Sequence, residues 1–150
     1  MNSYMNHAIR LALENVQEGG QPFGAVLVRN EEVLAEGVNE LHLYHDVSGH
    51  AELLAIRRAQ KRLNTNDLSG CVIYASGEPC AMCLTAMYFA GINQVYFCQS
   101  VDEATEVGLT KSKEIYHDLQ KPKNQRSIKI EQLSLDKGQL DPMKLWKESN

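Results

Sequence analysis

The chain has 150 residues, of which 43% are hydrophobic and 23% are charged, and these fractions are typical of one globular domain. They exclude a disordered chain and a fibre. Nineteen acidic residues against fifteen basic ones give a net charge of -4, which disfavours nucleic acid as a partner because phosphates bind a concentrated basic surface. Neither an apolar stretch long enough to cross a bilayer nor a secretory signal is recognisable. We therefore expect a cytoplasmic protein that does not enter a membrane.

The spacing of apolar residues predicts helices that alternate with strands along the chain. In chain order, the predicted elements are a helix over 4–18, strands over 23–29 and 33–38, a helix over 50–62, a strand over 71–75, a helix over 80–90, a strand over 94–98, further helix, a strand over 127–133, and a helix over 141–149. Gly19-Gly20 ends the first helix, and residues 30–32 form a short turn between the first two strands. Strands that alternate with helices indicate an α/β fold with parallel strand pairs, covered by helices on both faces.

Two short motifs stand where a loop gives way to a predicted helix. One is His50-Ala51-Glu52, and the other is Pro79-Cys80-Ala81-Met82-Cys83. Ligand sites in open α/β sheets form beyond the carboxyl ends of the strands, so we expect both motifs at one edge of the fold. One imidazole and two thiolates are typical zinc ligands, and three protein ligands leave a fourth position for water. His50, Cys80 and Cys83 therefore predict one catalytic zinc ion (Zn2+) per chain.

Glu52 follows His50 by two residues, so their side chains do not share a helix face. At the start of a helix, however, a carboxylate can still reach over the end towards a metal ion. A carboxylate that does not bind the metal can take a proton from the water that the metal activates and deliver it elsewhere. His-x-Glu combined with Pro-Cys-x-x-Cys is the signature of the zinc deaminases, which makes Glu52 the predicted catalytic residue.

The same motifs and several flanking segments resemble the cytidine-deaminase-like superfamily, from the first predicted helix to the last strand. Within it, the chain resembles the bacterial guanine deaminases and related free-base deaminases. The segments that carry this resemblance are 22–28, 49–52, 78–84, 115–116 and 121–122, together with Arg126 and the stretch around Trp146. The tRNA adenosine deaminases share both zinc motifs, but they usually carry valine where this chain has Phe23, and they tend to be more basic.

The resemblance implies a hydrolase that releases ammonia from a nucleobase or a related amino-heterocycle. It implies a three-layer α/β/α fold, in which helices flank a five-stranded mixed sheet. It also implies one deaminase domain over residues 1–150 that acts as a homodimer, with residues 134–150 packed on or exchanged with the partner. Asn39 matches an asparagine that binds the substrate base in this superfamily. Phe23 and Phe89 match positions that line the base pocket, and the backbone near Ala51 and Cys80 is expected to hold the substrate or the reacting water.

The stretch 109–113, Leu-Thr-Lys-Ser-Lys, departs from the guanine deaminases, which carry an acidic residue shortly after the glycine that matches Gly108. The tyrosine at their extreme C-terminus is also absent. A lysine here can only donate hydrogen bonds, so another aminopurine, cytosine, isocytosine or an aminotriazine is an alternative to guanine. A tRNA adenosine is a further alternative substrate. Outside the enzymes, the alternative is a structural zinc module, for which Cys71 or His45 would supply the fourth ligand.

Overall fold

The computed structural model describes residues 2–150, and these fall into two units. The first unit ends at His117 and the second runs from Asp118 to Asn150. In chain order, the elements are α1 (Ser3–Gln17), β1 (Gly24–Arg29), β2 (Glu32–Val38), α2 (Ala51–Leu63), β3 (Val72–Gly77), α3 (Ala81–Ala90), β4 (Gln94–Gln99), α4 (Val101–Glu106), α5 (Lys111–Leu119), a 3-10 turn (Lys123–Gln125) and α6 (Pro142–Ser149). The predicted helices are confirmed to within a few residues, and α4 and α5 supply the further helix that was expected after β4.

The strands form one mixed sheet, which has four strands in the part of the chain that the structure describes, in the order β2-β1-β3-β4. β1 is antiparallel to both β2 and β3, whereas β3 and β4 are parallel. Val26 of β1 pairs with Glu36 on one side and with Tyr74 on the other. Ile73 pairs with Val95 across the parallel contact. A mixed sheet flanked by helices confirms the predicted α/β fold.

Two glycines show that helices cover opposite faces of this sheet. A Cβ at Gly24 would lie 2.5 Å from the carbonyl oxygen of Ala8 in α1, and a Cβ at Gly37 would overlap the carbonyl oxygen of Ala51 in α2. Gly37 pairs with Ala25 and therefore lies on the same face of the sheet. Ala25 points to the face opposite to that of its neighbour Gly24, because side chains alternate along a strand. α1 therefore covers one face and α2 covers the other.

The apolar core lies on the α2 side of the sheet, where α2 packs on β2, β1 and β3 and α3 packs against α2. Its buried members include Ala25, Leu27, Ala51, Ala55, Ile73, Ala75, Cys83 and Met87. Ala51 is the first residue of α2, and Cys83 lies in the first turn of α3. Because removing apolar surface from water stabilises the fold by about 25 cal/mol per Å², this core holds the starts of both helices against the sheet.

The fifth strand predicted over residues 127–133 is wrong, because this stretch forms neither a strand nor a helix. Its apolar side chains face solvent, among them Ile128 and Ile130, which alternate with polar residues, and Leu133, which is 91% exposed. An alternating pattern forms a strand only where a neighbouring strand pairs with its backbone groups. Instead, the Asp118 carboxylate accepts hydrogen bonds from the backbone N–H and the hydroxyl of Ser127, at 3.1 and 2.9 Å.

The second unit also contains α6, which confirms the helix predicted over residues 141–149. Asp141 caps this helix by accepting a hydrogen bond from the backbone N–H of Met143 at 2.9 Å. No helix in residues 2–150 is long and apolar enough to cross a membrane. The organisation of residues 1–150 as a single deaminase domain stays a prediction.

Candidate metal centre

Two of the three predicted zinc ligands are N-cap residues, which immediately precede a helix. His50 caps α2 with φ -90° and ψ 152°, and Cys80 caps α3 with φ -69° and ψ 169°. Neither side chain bonds to the helix that it caps, so the imidazole and the thiol can point to a shared ligand. Cys83 follows three residues after Cys80, in the first turn of α3, and its side chain is buried. Two helix starts therefore supply all three ligand groups.

The three ligand atoms have the spacing that one tetrahedral ion requires. His50 Nδ1 lies 3.5 Å from Sγ of Cys80 and 3.7 Å from Sγ of Cys83. All three atoms lie within 4.8 Å of one another. Ligands bound at about 2.0–2.3 Å to a tetrahedral zinc ion stand roughly 3.3–3.8 Å apart. The donor set and the spacing thus fit a single zinc ion.

Among the described residues, 2–150, no fourth histidine, cysteine or carboxylate joins this cluster. Cys71 is buried just before β3, and its backbone N–H bonds to the carbonyl oxygen of Leu68 at 3.1 Å. His45 is exposed in the loop before α2. An open fourth position is characteristic of catalytic zinc, whereas structural zinc has four protein ligands. The geometry therefore favours a catalytic centre over a structural zinc module.

Hydrogen bonds inside the cluster favour a thiolate at Cys80. The Cys83 thiol donates to Cys80 and lowers the pKa of Cys80 to about 4, while the same bond raises the pKa of Cys83. The hydrogen bond with Cys80 also raises the pKa of His50. The N-terminal end of α3 places the positive end of a helix dipole next to the sulfur. Since the thiolate is the form of cysteine that binds zinc, Cys80 is ready to bind the ion, whereas Cys83 has to lose its proton when the ion binds.

Glu52 lies in the first turn of α2 and is buried, with 6% of its surface exposed. Burial raises the pKa of Glu52 to about 7, and the negative charge of the nearby Cys80 thiolate acts in the same direction. Glu52 lies next to one of the ligands, yet it does not belong to the ligand cluster. A buried carboxyl group beside a metal centre and outside its ligand set is suited to proton transfer.

Tyr116 of α5 is a neighbour of the centre that motif spacing did not identify. Its hydroxyl donates a hydrogen bond of 2.6 Å to the carbonyl oxygen of Pro79, the residue immediately before Cys80. Burial raises the pKa of Tyr116 to about 12, and the negative charge of the nearby Cys80 thiolate contributes to the same shift. The hydroxyl therefore keeps its proton at neutral pH. The only sequence signal was the segment 115–116 in the family resemblance. Tyr116 therefore ties α5 to the turn that carries Cys80.

Asn39 follows β2 directly and is buried, with 1% of its surface exposed. Its Oδ1 accepts a hydrogen bond from the backbone N–H of Leu41 at 3.0 Å, and its Nδ2 donates to Oε1 of Gln21 at 3.3 Å. The next residue, Glu40, donates its backbone N–H to the carbonyl oxygen of Gly49 at 2.9 Å. Because Gly49 precedes His50, the end of β2 is joined to the loop that carries the first zinc ligand.

Phe23 contacts residues that precede each of the two motifs. Its carbonyl oxygen accepts the backbone N–H of Asn39 at 3.1 Å. Its ring lies against Gly77 at the end of β3, where an added Cβ would be 2.7 Å from a ring carbon. Gly77 stands three residues before Cys80 in the chain. Phe23 therefore contacts both segments that lead to the metal ligands.

The remaining two predicted substrate contacts differ in position. Ala51 is buried directly after His50, at the start of α2, where backbone N–H groups lack helical partners. Phe89 is 89% exposed and lies six residues beyond Cys83, which is about 9 Å along the helix axis. The structure does not bring Phe89 to the ligands of its own chain. The substrate-binding roles of Asn39, Phe23, Ala51 and Phe89 stay predictions.

Comparison with known proteins places this centre in a family. Residues 1–99 match the family described as the cytidine and deoxycytidylate deaminase zinc-binding region. The guanine deaminase of Bacillus subtilis (strain 168) is 38% identical over 146 residues, which cover 97% of this chain and 92% of that protein. An X-ray structure of guanine deaminase from Bacillus subtilis has a TM-score of 0.89 at 38% identity, and the match covers 99% of this chain and 95% of that one.

Two further relatives are similar over a smaller part of the chain. The tRNA-specific adenosine deaminase of Aquifex aeolicus (strain VF5) is 37% identical over 94 residues, which cover 63% of this chain and 62% of that protein. A solved guanine deaminase from Nitrosomonas europaea has a TM-score of 0.65 at 28% identity, over 70% of this chain and 62% of that one. The chain therefore belongs to the cytidine and deoxycytidylate deaminase family and is a zinc-dependent hydrolytic deaminase.

Proposed function

We propose that this deaminase acts on a free nucleobase and that its substrate is guanine. The proposal is based on how much of the chain each relative matches. The guanine deaminase of Bacillus subtilis matches 97% of the chain, whereas the tRNA-specific adenosine deaminase of Aquifex aeolicus matches 63%. The net charge of -4 supports a small substrate as well, because a tRNA enzyme gains affinity chiefly from phosphate contacts.

Phe23 and Asn39 are the proposed base-binding side chains. An aromatic ring can stack on a flat heterocycle, and a carboxamide can both donate and accept hydrogen bonds at its edge. Phe23 lies against Gly77 on the strand that leads to Cys80, and the residue after Asn39 bonds to Gly49. We assign the backbone N–H of Ala51, beside His50, to the substrate or the reacting water. These contacts support a base held next to the metal ligands.

The two lysines in the stretch 109–113 do not oppose guanine. Lys111 is exposed, and Lys113 Nζ lies 2.7 Å from the Asp102 carboxylate with 55% of its side chain exposed. Both charges are therefore directed to solvent, where they impose no hydrogen-bond acceptor on the substrate. This arrangement weakens the case for cytosine, isocytosine or an aminotriazine, which depended on a lysine facing the base.

The zinc ligands and Glu52 have different roles in the proposed deamination. Zinc bound by His50, Cys80 and Cys83 supplies Lewis-acid chemistry, which makes water a nucleophile near neutral pH. Glu52 accepts a proton from the water at a carboxylate oxygen and delivers it to a ring nitrogen of the base. It then carries the second proton of that water to the amine, which leaves as ammonia. The base gains the oxygen of the water in place of the amino group, so guanine becomes xanthine.

We also propose a homodimer that covers the exposed side of α3 and β4. β4 is an edge strand of the sheet, and Tyr88 and Phe89 at the end of α3 are 77% and 89% exposed. Large apolar side chains exposed together mark an interaction surface, and an uncovered edge strand invites aggregation. Light scattering should give twice the chain mass for the wild type and the chain mass for Tyr88→Glu/Phe89→Glu. A wild type that stays monomeric at every concentration would contradict the dimer.

Residues 134–150 are proposed as an arm that packs on the partner subunit. Large apolar side chains of this segment, including Leu140, Met143 and Trp146, are exposed. An amphipathic helix such as α6 is stabilised when its apolar side is covered. A chain truncated after residue 133 should therefore form a weaker dimer, as measured by the concentration dependence of its mass. An unchanged dimer would assign the interface to α3 and β4 alone.

A cytoplasmic location is part of the same proposal. Cys71, Cys80, Cys83 and Cys98 form no disulfide. The thiols of Cys80 and Cys83 have to stay reduced in order to bind zinc, and reducing compartments preserve free thiols.

Ammonia release across a substrate panel tests the choice of base. The panel contains guanine, adenine, cytosine, isocytosine, an aminotriazine, guanosine, and tRNA with adenosine at the wobble position. We expect guanine to give the highest kcat/KM, and we expect Glu52→Gln to lower the turnover of guanine by about 100- to 10,000-fold. Turnover confined to tRNA would overturn the free-base proposal while leaving the zinc-dependent deaminase assignment intact.

A further inference from the structure

Asn15 is a buried polar side chain of α1 that the proposed chemistry does not use, with 3% of its surface exposed. Its Nδ2 donates two hydrogen bonds, at 2.8 Å to the carbonyl oxygen of Gln21 and at 2.9 Å to the carbonyl oxygen of Asn39. A carboxamide nitrogen carries two hydrogens, so both are used. Asn15 therefore holds Gln21, in the loop before β1, next to Asn39 at the end of β2.

The side chains of Gln21 and Asn39 meet where Asn15 joins their backbones. Nδ2 of Asn39 donates to Oε1 of Gln21 at 3.3 Å, and Oδ1 of Asn39 accepts the backbone N–H of Leu41 at 3.0 Å. Turning the Asn39 carboxamide over would place its oxygen against Oε1 of Gln21 and its nitrogen against the N–H of Leu41. The two bonds therefore favour one orientation of this carboxamide.

The same network includes the backbone of Phe23, the other proposed base-binding residue. The N–H of Phe23 donates to the carbonyl oxygen of Gln21 at 2.8 Å, and the carbonyl oxygen of Phe23 accepts the N–H of Asn39 at 3.1 Å. Gln21 is thus bonded to both residues that the proposed function assigns to the base.

The bonds to Gln21 and Leu41 leave part of the Asn39 carboxamide free. A carboxamide can donate two hydrogen bonds and accept two. Gln21 takes one N–H and Leu41 fills one acceptor position, so one N–H and one acceptor position remain for a ligand. Because the group has one favoured orientation, the donor and the acceptor have defined places. A carboxamide free to turn over would have to be immobilised by the base, which weakens binding.

We propose that Gln21 is a positioning residue, which fixes the orientation of the Asn39 carboxamide for the substrate base. This inference rests on the proposed function, because Asn39 is one of its two base-binding side chains. Gln21 acts through Asn39 in this arrangement and does not contact the base. Its removal should therefore weaken the binding of guanine and leave the chemical step almost unchanged.

The first test compares Gln21→Met with Gln21→Glu at this half-buried position. Methionine is similar in length to glutamine but has only a weakly accepting sulfur, whereas glutamate keeps an oxygen that can accept the Asn39 N–H. We expect Gln21→Met to raise KM for guanine about two- to tenfold with little change in kcat. Gln21→Glu should keep the wild-type KM. Gln17→Met, at an exposed glutamine of α1, is the matched control and should change neither constant.

A double-mutant cycle tests whether Gln21 acts through Asn39. Gln21→Met is introduced with Asn39 present and in Asn39→Ala, and guanine binding is measured by calorimetric titration. Every protein in the cycle also carries Glu52→Gln, which slows conversion of the base during the titration. We expect Gln21→Met to weaken binding only where Asn39 is present. Equal weakening in both backgrounds would overturn the positioning role.

The outcomes separate this inference from the proposed function. A wild-type KM in Gln21→Met, or an equal rise of KM in Gln21→Met and Gln21→Glu, would overturn the role of Gln21 while guanine stays the substrate. Unchanged guanine binding in Asn39→Ala would overturn both this inference and the base-binding role of Asn39. If Asn39→Ala does not fold, the comparison of the two Gln21 variants still decides, because it leaves Asn39 in place. If the substrate panel identifies another base, the same comparison with that base decides the role of Gln21.

Discussion

Gly37 of β2 lies directly against the carbonyl oxygen of Ala51, with no room between them for a methyl group. Ala51 is the first residue of α2 and follows the zinc ligand His50. The closeness of β2 to α2 at Gly37 therefore determines where the start of the helix, and the imidazole beside it, can lie. Packing of the helix on the sheet and the geometry of the metal centre depend on the same glycine.

Gly37→Ala should weaken both the fold and the zinc site. Overpacking at this contact is expected to lower the free energy of unfolding by about 1–3 kcal/mol and to reduce zinc affinity, since the start of α2 has to move. Gly24→Ala is the matched control, because it creates a similar overlap with Ala8 on the opposite face of the sheet. Urea unfolding and zinc competition with a chelator measure the two effects. Equal losses of zinc affinity in both variants would contradict the coupling.

Removal of any one ligand should remove most of the metal. His50→Ala, Cys80→Ala and Cys83→Ala each leave two protein ligands, which bind zinc far more weakly than three. Purified wild-type protein should contain one zinc ion per chain by mass spectrometry. Cys98→Ser, at an exposed cysteine outside the cluster, should keep that content. Retention of zinc in all three ligand variants would place the metal elsewhere.

Glu52→Gln should separate metal binding from catalysis. The substitution preserves size but removes the proton carrier. We therefore expect normal zinc content and a loss of about 100- to 10,000-fold in kcat. The control is Glu14→Gln, at an exposed glutamate of α1. Zinc content and ammonia release are measured on the same samples. A variant that loses its zinc would show instead that Glu52 is a ligand.

Tyr116→Phe should loosen the turn that carries Cys80 without removing a ligand. The lost hydrogen bond to Pro79 is expected to cost about 0.5–1.5 kcal/mol of stability and to speed the release of zinc to a chelator. Tyr44→Phe, at a tyrosine that is 61% exposed, is the control. The rate of zinc release is the informative readout, because a purely structural role would change stability alone. Identical release rates in both variants would exclude a positioning role for Tyr116.

The site was more predictable from the sequence than the outer parts of the molecule. His50, Cys80 and Cys83 belong to short motifs at helix starts, where local spacing largely determines which atoms can converge. The contact between Tyr116 and Pro79 joins segments 37 residues apart, and periodicity carries no information about such packing.

The wrong prediction of a strand over residues 127–133 has a similar physical origin. The apolar residues Ile128, Ile130 and Leu133 favour a strand, but a strand forms only where a neighbouring strand is present to pair with it. The family resemblance assigned Phe89 to the base pocket, and its position on α3 leaves the ring exposed on its own chain. Whether an apolar side chain is covered by a partner depends on a second molecule, which a single sequence does not describe.

The separation of His50 and Cys80 by thirty residues has a consequence for the amount of enzyme in a cell. An ion bound at both helix starts closes a loop that includes β3, and the unfolded chain offers no comparable site. Zinc binding therefore shifts the folding equilibrium, by about 4 kcal/mol when free zinc exceeds the dissociation constant a thousandfold. Zinc starvation should consequently increase the share of chains that are unfolded and open to proteolysis. The chains that stay folded without zinc should be inactive. Metal supply would then control the abundance of the protein and its turnover together.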